Sequence, residues 1–186
     1  MSVHSRRPLR GDRRALLDIA AEVLIADPRA SLADVAAAAG VGRTTLHKRY
    51  PTREALLVAI GHDSMDRIAE AIDGAGIATA ADAAAVRRLL AAFIPLGPRL
   101  TFLIRHGDDG ALLSRVEKLD APVEDLIRRA QEERTIREGV PVWWVVSTLY
   151  SLAYSAWEAV AAGRLAALDA PALAFDTLLS GIGPSS

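Results

Sequence analysis

The sequence contains no cysteine in its 186 residues. Disulfide frameworks, thiolate metal sites and cysteine nucleophiles are therefore excluded, and the protein suits a reducing compartment. The sequence also lacks a nucleophile elbow, a glycine-rich phosphate loop and the paired histidines of a zinc protease. Its four histidines, at positions 4, 47, 62 and 106, show no paired helical spacing. We therefore expect a protein that is not an enzyme and that has no cofactor or metal.

Lysine is scarce, and the basic residues are unevenly distributed along the chain. Arginine outnumbers lysine 20 to 2, while the net charge of the whole chain is only −1. Residues 1–53 carry ten basic and five acidic side chains, a net charge of +5. Residues 54–186 carry twelve basic and eighteen acidic side chains, a net charge of −6. This asymmetry favours attraction to phosphate at one end of the molecule.

No segment alternates polar and apolar residues as a half-buried strand would. The first residues contain no apolar stretch of the kind that forms a secretory signal, which predicts a cytoplasmic protein. Apolar residues recur at helical spacing instead, so we expect an all-α protein of about nine helices. Composition changes after residue 60, which predicts two domains, 1–60 and 61–186. Helices in the second domain are expected over 82–95, 99–106, from about Pro122 to Glu138, over 141–163, and onward from about Asp169.

Residues 31–56 have the pattern of two short helices joined by a tight turn. Ser31 and Asp34 predict a capping box at the start of the first helix. Gly40 falls where the chain must turn sharply, and glycine adopts positive φ without steric cost. The apolar face of the first helix consists of Leu32, Val35, Ala36 and Ala39.

The second of these helices starts near Arg43 and turns Leu46 and Tyr50 inward. Polar and basic side chains are left facing outward: Arg43, Thr44, Thr45, His47, Lys48 and Arg49. Such a helix suits the major groove of DNA, which indicates a helix-turn-helix. An ordinary helical hairpin with a charged, solvated face is the alternative interpretation.

The flanking segments favour the DNA-binding interpretation. An apolar-faced helix that stops before Pro28 precedes the pair, with Leu16, Ile19, Ala20, Val23 and Leu24 at helical spacing. Thr52 predicts the cap of a fourth helix, and Glu54 lies in its first turn.

This stretch resembles the DNA-binding domain of the tetracycline-repressor (TetR) family of bacterial regulators. The matching positions are Ala39, Gly40, Val41, Thr45, Leu46, Arg49, Tyr50, Thr52, Arg53, Glu54 and Leu56. Three residues depart from the family pattern: Gly42 replaces serine, His47 replaces tyrosine, and Tyr50 replaces phenylalanine. The resemblance covers about a quarter of the chain. The remaining residues carry no motif.

We expect two kinds of contact with DNA. Side chains of the second helix should reach base edges and nearby phosphates, namely Arg43, Thr45, His47 and Lys48. Others should hold the backbone and set the register, namely Ser31, Thr44, Tyr50 and Arg53. Arg13 and Arg14 should neutralise phosphates at the end of a basic arm. For Arg6 and Arg7 in that arm, a disordered tail whose charges aid solubility is an equal alternative.

The segment 141–163 is unusually apolar for a single helix. It could span a membrane, lie inside the core of one subunit, or pack on both its own core and a twin subunit. The family resemblance implies the last of these, with the final two helices forming a four-helix bundle across a homodimer. The expected interface residues are Leu149, Leu152, Ala156, Val160, Phe175, Leu178, Leu179 and Ile182.

The resemblance also implies a small effector bound in the second domain. The candidate wall residues are Phe93, Phe102, Trp143, Tyr150 and Tyr154, with His106 as a polar contact. Because most of these side chains are aromatic, we expect a mostly apolar effector. The same aromatic residues could instead belong to the core. His106, Asp108 and Asp109 invite a metal hypothesis, although carboxylates in helix breaks are usually caps and turn formers.

The sequence thus predicts a ligand-responsive regulator, most simply a repressor, that binds a near-palindromic DNA operator as a dimer. The fourth helix, from Thr52 to about Ile72, is the expected link between the two domains. The alternative is an all-α membrane-associated or protein-interaction module without DNA binding.

Overall fold

A computed structural model describes residues 10–80, 82–106 and 110–182, without side chains for 10–12, 110–114 and 182. Within these ranges the chain forms nine α-helices and one short 3-10 segment, with no strand. The prediction of an all-α protein is therefore confirmed. Arg6, Arg7, Asp108 and Asp109, which the sequence singled out, lie outside the described residues. The helices are α1 (Arg10–Ala26), α2 (Leu32–Ala38), α3 (Arg43–Arg49), α4 (Arg53–Gly74), α5 (Ala83–Phe93), α6 (Gly97–His106), α7 (Gly110–Glu132), α8 (Val142–Ala161) and α9 (Ala170–Ile182); the 3-10 segment is Ile94–Leu96.

The chain divides into two compact units, Met1–Asp63 and Ser64–Ser186. The sequence placed the boundary after residue 60. Both positions lie within α4, which begins in the first unit and ends in the second. The two positions are three residues apart, so the composition change after residue 60 lies within one helical turn of the boundary between the units.

The core of unit 1 is formed by apolar side chains of its first four helices. Its buried members are Leu16, Leu17, Ala20, Ala21, Leu24, Ala30, Val35, Ala36, Leu46, Tyr50, Leu56 and Ile60. The expected apolar face of α1 is only partly right, because Leu17 and Ala21 are buried while Ile19 and Val23 are half-exposed. The buried face is therefore rotated towards Leu17 and Ala21.

Unit 2 has one continuous apolar core, to which α4 to α9 all contribute. The expected core positions of α5 are confirmed: Val86, Leu89, Leu90 and Phe93 each have no exposed surface. Pro95 lies in the 3-10 segment and Pro98 in the first turn of α6, where a proline costs no helical hydrogen bond.

The structure corrects the expected start of α7. Pro122 was expected near the beginning of a helix, but α7 already begins at Gly110 and continues through Pro122 to Glu132. Proline removes one backbone hydrogen bond from a helix interior. The following residues Val123, Leu126 and Ile127 are fully buried, so their packing holds the helix across this local defect.

The exposed side of α8 differs from the expected one. Leu149 is fully buried inside the subunit, Leu178 on α9 retains 1% exposure, and Ala156 retains 8%. Leu149 and Leu178 therefore pack inside their own subunit in this structure, and the assignment of these residues to a subunit interface stays a prediction. Leu152, Val160, Phe175 and Leu179 are half-exposed, and the side chain of Ile182 is not described.

Small hydroxyl residues occupy the outward side of α8 instead. Ser147, Ser151 and Ser155 are exposed, and Trp144 lies beside them with 52% exposure. In the described ranges, no helix combines the length and apolar character needed to cross a membrane.

Candidate DNA interface and effector site

Local hydrogen bonds fix the N-terminus of α2. The Ser31 hydroxyl accepts from the Asp34 backbone N–H at 3.2 Å, while the Asp34 carboxylate accepts from the Ser31 backbone N–H at 2.8 Å. This reciprocal pair confirms the predicted capping box. The Ser31 hydroxyl also donates to that carboxylate at 2.7 Å. These hydrogen bonds from Ser31 lower the pKa of Asp34 and favour its charged form.

Gly40 ends α2 with a φ of +64°, as its position in the sequence predicted. Its N–H donates to the Ala37 carbonyl at 3.2 Å, and the Val41 N–H donates to the Ala36 carbonyl at 3.0 Å. These two bonds form a Schellman motif, which reverses the chain within a few residues. The direction in which α3 leaves α2 is therefore set by a capped and hydrogen-bonded turn.

The outward face of α3 is polar and basic, as predicted. Leu46 and Tyr50 are buried, and the other side chains from Arg43 to Arg49 are all exposed. The last turn carries His47, Lys48 and Arg49, and the helix contains no acidic residue. Gly42 caps α3 without a side-chain hydrogen bond.

Two residues expected to contact the DNA backbone have other roles in this structure. The Tyr50 hydroxyl is buried and has no hydrogen-bond partner in the described part of the chain. The hydroxyl is turned into unit 1 rather than towards solvent, and the expected contact of Tyr50 with the DNA backbone stays a prediction. The Arg53 guanidinium donates to the carbonyl oxygens of Pro28 at 2.7 Å and Ala30 at 3.4 Å. Arg53 therefore ties the loop before α2 to the start of α4.

The remaining candidates in unit 1 lie at or near its surface. Arg13 is exposed and Arg14 is half-exposed on α1, and Thr44 is exposed on α3. Thr52 caps α4 as predicted, since its hydroxyl accepts from the Ala55 N–H at 3.1 Å.

In unit 2 the candidate effector residues fall into separate ring pairs. Phe93 and Tyr150 lie with ring centroids 5.3 Å apart, and Phe102 and His106 lie 4.6 Å apart. Tyr154 pairs with Trp157 at 5.8 Å. Phe93 and Phe102 are buried, whereas His106, Tyr150 and Tyr154 are half-exposed.

Trp143 does not belong with these interior residues. It is 61% exposed at the start of α8 and contacts the ring of Trp144, at a centroid distance of 5.6 Å. Its exposed ring does not line the interior of unit 2, and its assignment to an effector site stays a prediction. The helical projection placed it in one stripe with Tyr150, but the first turn of α8 lies largely outside the core.

Asp120 is a polar residue of this region that the sequence did not indicate. Its carboxylate accepts a hydrogen bond from the Tyr150 hydroxyl, with an O–O distance of 2.5 Å. Burial raises the pKa of Asp120, and the hydrogen bond from Tyr150 opposes this effect. Burial, followed by the nearby charge of Asp120, raises the pKa of Tyr150, so its hydroxyl stays protonated. In the described ranges no group of three or more potential ligands could hold a metal ion.

A capped helix-turn-helix with a basic outward face, joined to an all-α body, is the arrangement expected of a one-component DNA-binding regulator. The family model for bacterial regulatory proteins of the tetR family matches residues 16–60. A transcriptional repressor from Mycolicibacterium smegmatis, LfrR, is 34% identical over 154 residues, covering 81% of this chain and 80% of the relative. The chain belongs to the TetR family of transcriptional regulators, as the resemblance in its helix-turn-helix predicted. It is not an enzyme.

Solved structures agree with this assignment. The regulator LfrR from Mycobacterium smegmatis in complex with proflavine matches with a TM-score of 0.71 and 31% identity. That match covers 94% of this chain and 99% of the solved chain. A TetR family regulator from Marinobacter aquaeolei VT8 matches with a TM-score of 0.69 and 18% identity, covering 94% and 97% of the two chains, which shows the shared fold.

Proposed function

We propose that this protein is a repressor that binds a near-palindromic operator as a homodimer and is released by a small effector. The observation that carries the DNA-binding part is the exposed basic face of α3, oriented by the capped turn that ends at Gly40. A dimer would present two such helices to half-sites about one helical turn, or a multiple of it, apart. Because its target is chromosomal DNA, we place the protein in the cytoplasm.

The side chains of α3 divide by chemistry into two groups. Arg43 is suited to a forked contact with guanine, and Thr45 and His47 can exchange hydrogen bonds with base edges. Lys48 is suited to phosphate as a point charge. Phosphate contacts further from the groove would come from Arg13, Arg14, Thr44 and the backbone around Ser31.

Selection of binding sites from random DNA, followed by affinity measurements across a salt series, tests this assignment. Lys48→Ala should weaken all sites similarly and flatten the salt slope by about one unit. Arg43→Ala should relax specificity at one position, at a cost of about 1–3 kcal/mol. Arg128→Ala is a matched control, because Arg128 is exposed on α7 and pairs with Glu124 and Asp125. Wild-type affinity and specificity in both α3 variants would contradict the assignment of α3 as the reading helix.

The outward side of α8 supports a two-fold contact between subunits. The Ser151 hydroxyl donates to the Ser147 carbonyl at 2.9 Å, and the Thr148 hydroxyl donates to the Trp144 carbonyl at 2.7 Å. Each of these two hydroxyls donates its hydrogen bond within its own helix, which lowers the polarity that it presents to a partner. Leu173, which is 55% exposed on α9, adds apolar area. Small side chains of this kind allow close approach of a symmetry-related helix.

A single charge on this surface tests the dimer. Ser151→Arg should shift sedimentation from dimer to monomer at micromolar concentration, because the arginine would lie desolvated and unpaired in the contact. Ala91→Arg, on the exposed side of α5, is the matched control and should leave the dimer intact. A wild-type protein that sediments as a monomer would overturn this part of the proposal.

An effector bound in unit 2 would act through α4, which both units share. Binding that favours one tilt of α4 would favour one separation of the two reading helices. A coupling of about 1–3 kcal/mol, or a 5- to 150-fold loss of operator affinity, is sufficient for such control. The relative solved with proflavine supports an aromatic effector. The effector and the operator DNA must weaken each other's binding by the same factor. The test is therefore to measure the affinity for the effector with and without operator DNA.

A further inference from the structure

One side chain joins the first residue of α4 to the loop that precedes α2. The Arg53 guanidinium donates from Nη2 to the carbonyl oxygen of Pro28 at 2.7 Å and from Nε to that of Ala30 at 3.4 Å. Ala30 is buried and directly precedes Ser31, the N-cap of α2. The starts of the two helices are thus held together by a contact between residues 23 and 25 positions apart in the chain.

The position of Arg53 is not explained by the needs of its own helix. The N-terminus of a helix carries a partial positive charge, so a cation in the first turn is unfavourable for α4. Thr52 already caps this end through the Ala55 N–H, and Glu54 complements the helix dipole. The guanidinium donates instead to two carbonyl oxygens outside α4, and these charge-assisted hydrogen bonds offset the unfavourable position. The contribution of Arg53 is therefore its contact with the loop.

The segment from Ala30 to Tyr50 is held by its own hydrogen bonds and packing. The capping box at Ser31 starts α2, and the turn at Gly40 sets the direction of α3. Burial of Leu46 and Tyr50 then packs α3 on the core of unit 1. Because α2 and α3 are connected in this way, a contact that fixes the start of α2 also fixes the orientation of α3.

We propose that Arg53 is a positioning residue that sets the angle between the reading helix α3 and α4, and thereby the half-site spacing that the dimer accepts, without touching DNA. This inference rests on the proposed function, because it assigns the source of one part of its specificity. Residues 50–52 link α3 to α4 covalently, and Arg53 adds a second attachment at the start of α2. Two attachments fix an angle that a single one leaves free. A contact of Arg53 with the DNA backbone, as the sequence predicts, is the competing assignment.

Half-site spacing reports on this angle because two reading helices must engage one operator together. One base pair inserted at the operator centre moves the second half-site by about 3.4 Å along the DNA axis and by about 35° around it. Reading helices held at a fixed angle to α4 cannot follow that change without losing contacts. Reading helices released at α2 can follow it, but they lose more conformational freedom on the unchanged operator. Loss of the Arg53 contact should therefore lower the affinity and relax the spacing preference together.

Binding of the full-length protein to three DNA duplexes tests this proposal. They are the operator that wild type selects from random DNA, and two versions with one base pair inserted or removed at its centre. Wild type should bind both altered duplexes at least about 30-fold more weakly than the operator. Arg53→Ala should bind the operator about 5- to 30-fold more weakly than wild type does. Its penalty for altered spacing should fall below about tenfold.

The salt dependence of operator binding distinguishes positioning from loss of a phosphate contact. Arg53→Ala should change the salt slope by less than about half a unit, whereas Lys48→Ala should flatten it by about one unit. Arg53→Lys keeps the charge and can bind phosphate, but its ammonium lacks the fork that reaches two carbonyl oxygens at once. It should therefore relax the spacing preference as Arg53→Ala does, whereas lysine would rescue a phosphate contact.

Arg29→Ala is the matched control. It removes an exposed positive charge from the same loop, between the two carbonyl groups that Arg53 contacts, and should keep the wild-type spacing penalty. Circular dichroism at the assay temperature establishes that each variant is folded. If Arg53→Ala does not fold, Arg53→Lys provides the same test at unchanged charge.

Several outcomes would overturn the inference. They are a wild-type spacing penalty in the Arg53 variants, wild-type affinity in Arg53→Lys, or a salt slope flattened by a full unit in Arg53→Ala. Loss of the fold in both variants would assign Arg53 to the stability of unit 1 and would also overturn it. Equal binding of wild type to the three duplexes would do so without any variant. Failure of the proposed function is distinguishable, because selection would then return no operator at all.

Discussion

The turn at Gly40 allows a stability prediction that depends on backbone conformation alone. Gly40 has a φ of +64°, and a Cβ added there would meet no atom within 4 Å. Gly40→Ala therefore introduces no clash, and its whole cost is that of placing an L-residue in the left-handed region. That cost is about 1–2 kcal/mol, a large fraction of the stability of a small unit.

Matched substitutions separate this effect from a general effect of replacing glycine. Gly74 at the end of α4 also has open space around its Cβ position, but its φ is not positive. Gly74→Ala should therefore leave the stability unchanged or raise it by up to about 1 kcal/mol. Gly40→Asn should cost less than Gly40→Ala, because asparagine tolerates left-handed conformations.

Urea unfolding followed by circular dichroism measures these differences at constant protein concentration. Operator affinity, measured where all variants are folded, should stay close to that of wild type because no DNA-facing side chain changes. The reasoning would be refuted if Gly40→Ala were as stable as wild type. It would also be refuted if Gly74→Ala lost as much stability as Gly40→Ala.

Three further predictions follow from single residues. Gly42→Ser should stabilise unit 1 by a few tenths of a kcal/mol in thermal unfolding, because it supplies the missing side-chain cap of α3, whereas Gly42→Ala should not. Gly97→Ala should cost about 1–3 kcal/mol in the same assay, because its Cβ would lie 2.6 Å from the Trp157 Cβ. An unchanged melting temperature would show that α6 and α8 separate easily and would contradict this prediction. Asp120→Asn should melt above wild type at pH 7, with the difference shrinking towards about pH 4. Burial raises the pKa of Asp120 in the folded protein, so wild type loses stability as the pH rises and the carboxyl ionises. The melting temperature of the variant minus that of wild type should therefore be larger at pH 7 than at pH 4. A smaller difference at pH 7 would contradict this sign.

The helix-turn-helix was predictable because its determinants lie within a few residues of each other. The capping box joins Ser31 to Asp34, and the turn requires only a glycine at position 40. The inward positions of α3, Leu46 and Tyr50, follow from helical periodicity. Each of these signals acts over one helical turn, so the sequence carries it without reference to the rest of the fold. The family assignment depends on the same short stretch.

Tertiary structure decided which side of α8 faces the core. The helix is apolar around most of its circumference, so periodicity could not rank its faces. Neighbouring helices bury Leu149 completely and leave Ser151 exposed, the reverse of what a leucine-lined subunit interface requires. The Ser151 hydroxyl donates to a carbonyl of its own helix, so this side chain is less polar towards a partner than a free serine would be. The residue type alone does not predict that hydrogen bond.

Asp120 was missed for a related reason. Pro122 is a local stop signal, and it led to a helix start after Asp120 rather than to a helix that contains it. Burial of Val123, Leu126 and Ile127 outweighs the hydrogen bond that the proline removes. The helix therefore continues through Pro122 and contains Asp120. The partner of Asp120, Tyr150, lies 30 residues away along the chain. The sequence by itself determined the caps of α2 and α4, the turn at Gly40 and the inward positions of α5, because these depend on neighbouring residues. Only the packing of separate helices could bring a carboxylate to an aromatic pair, because that proximity depends on the whole core of unit 2.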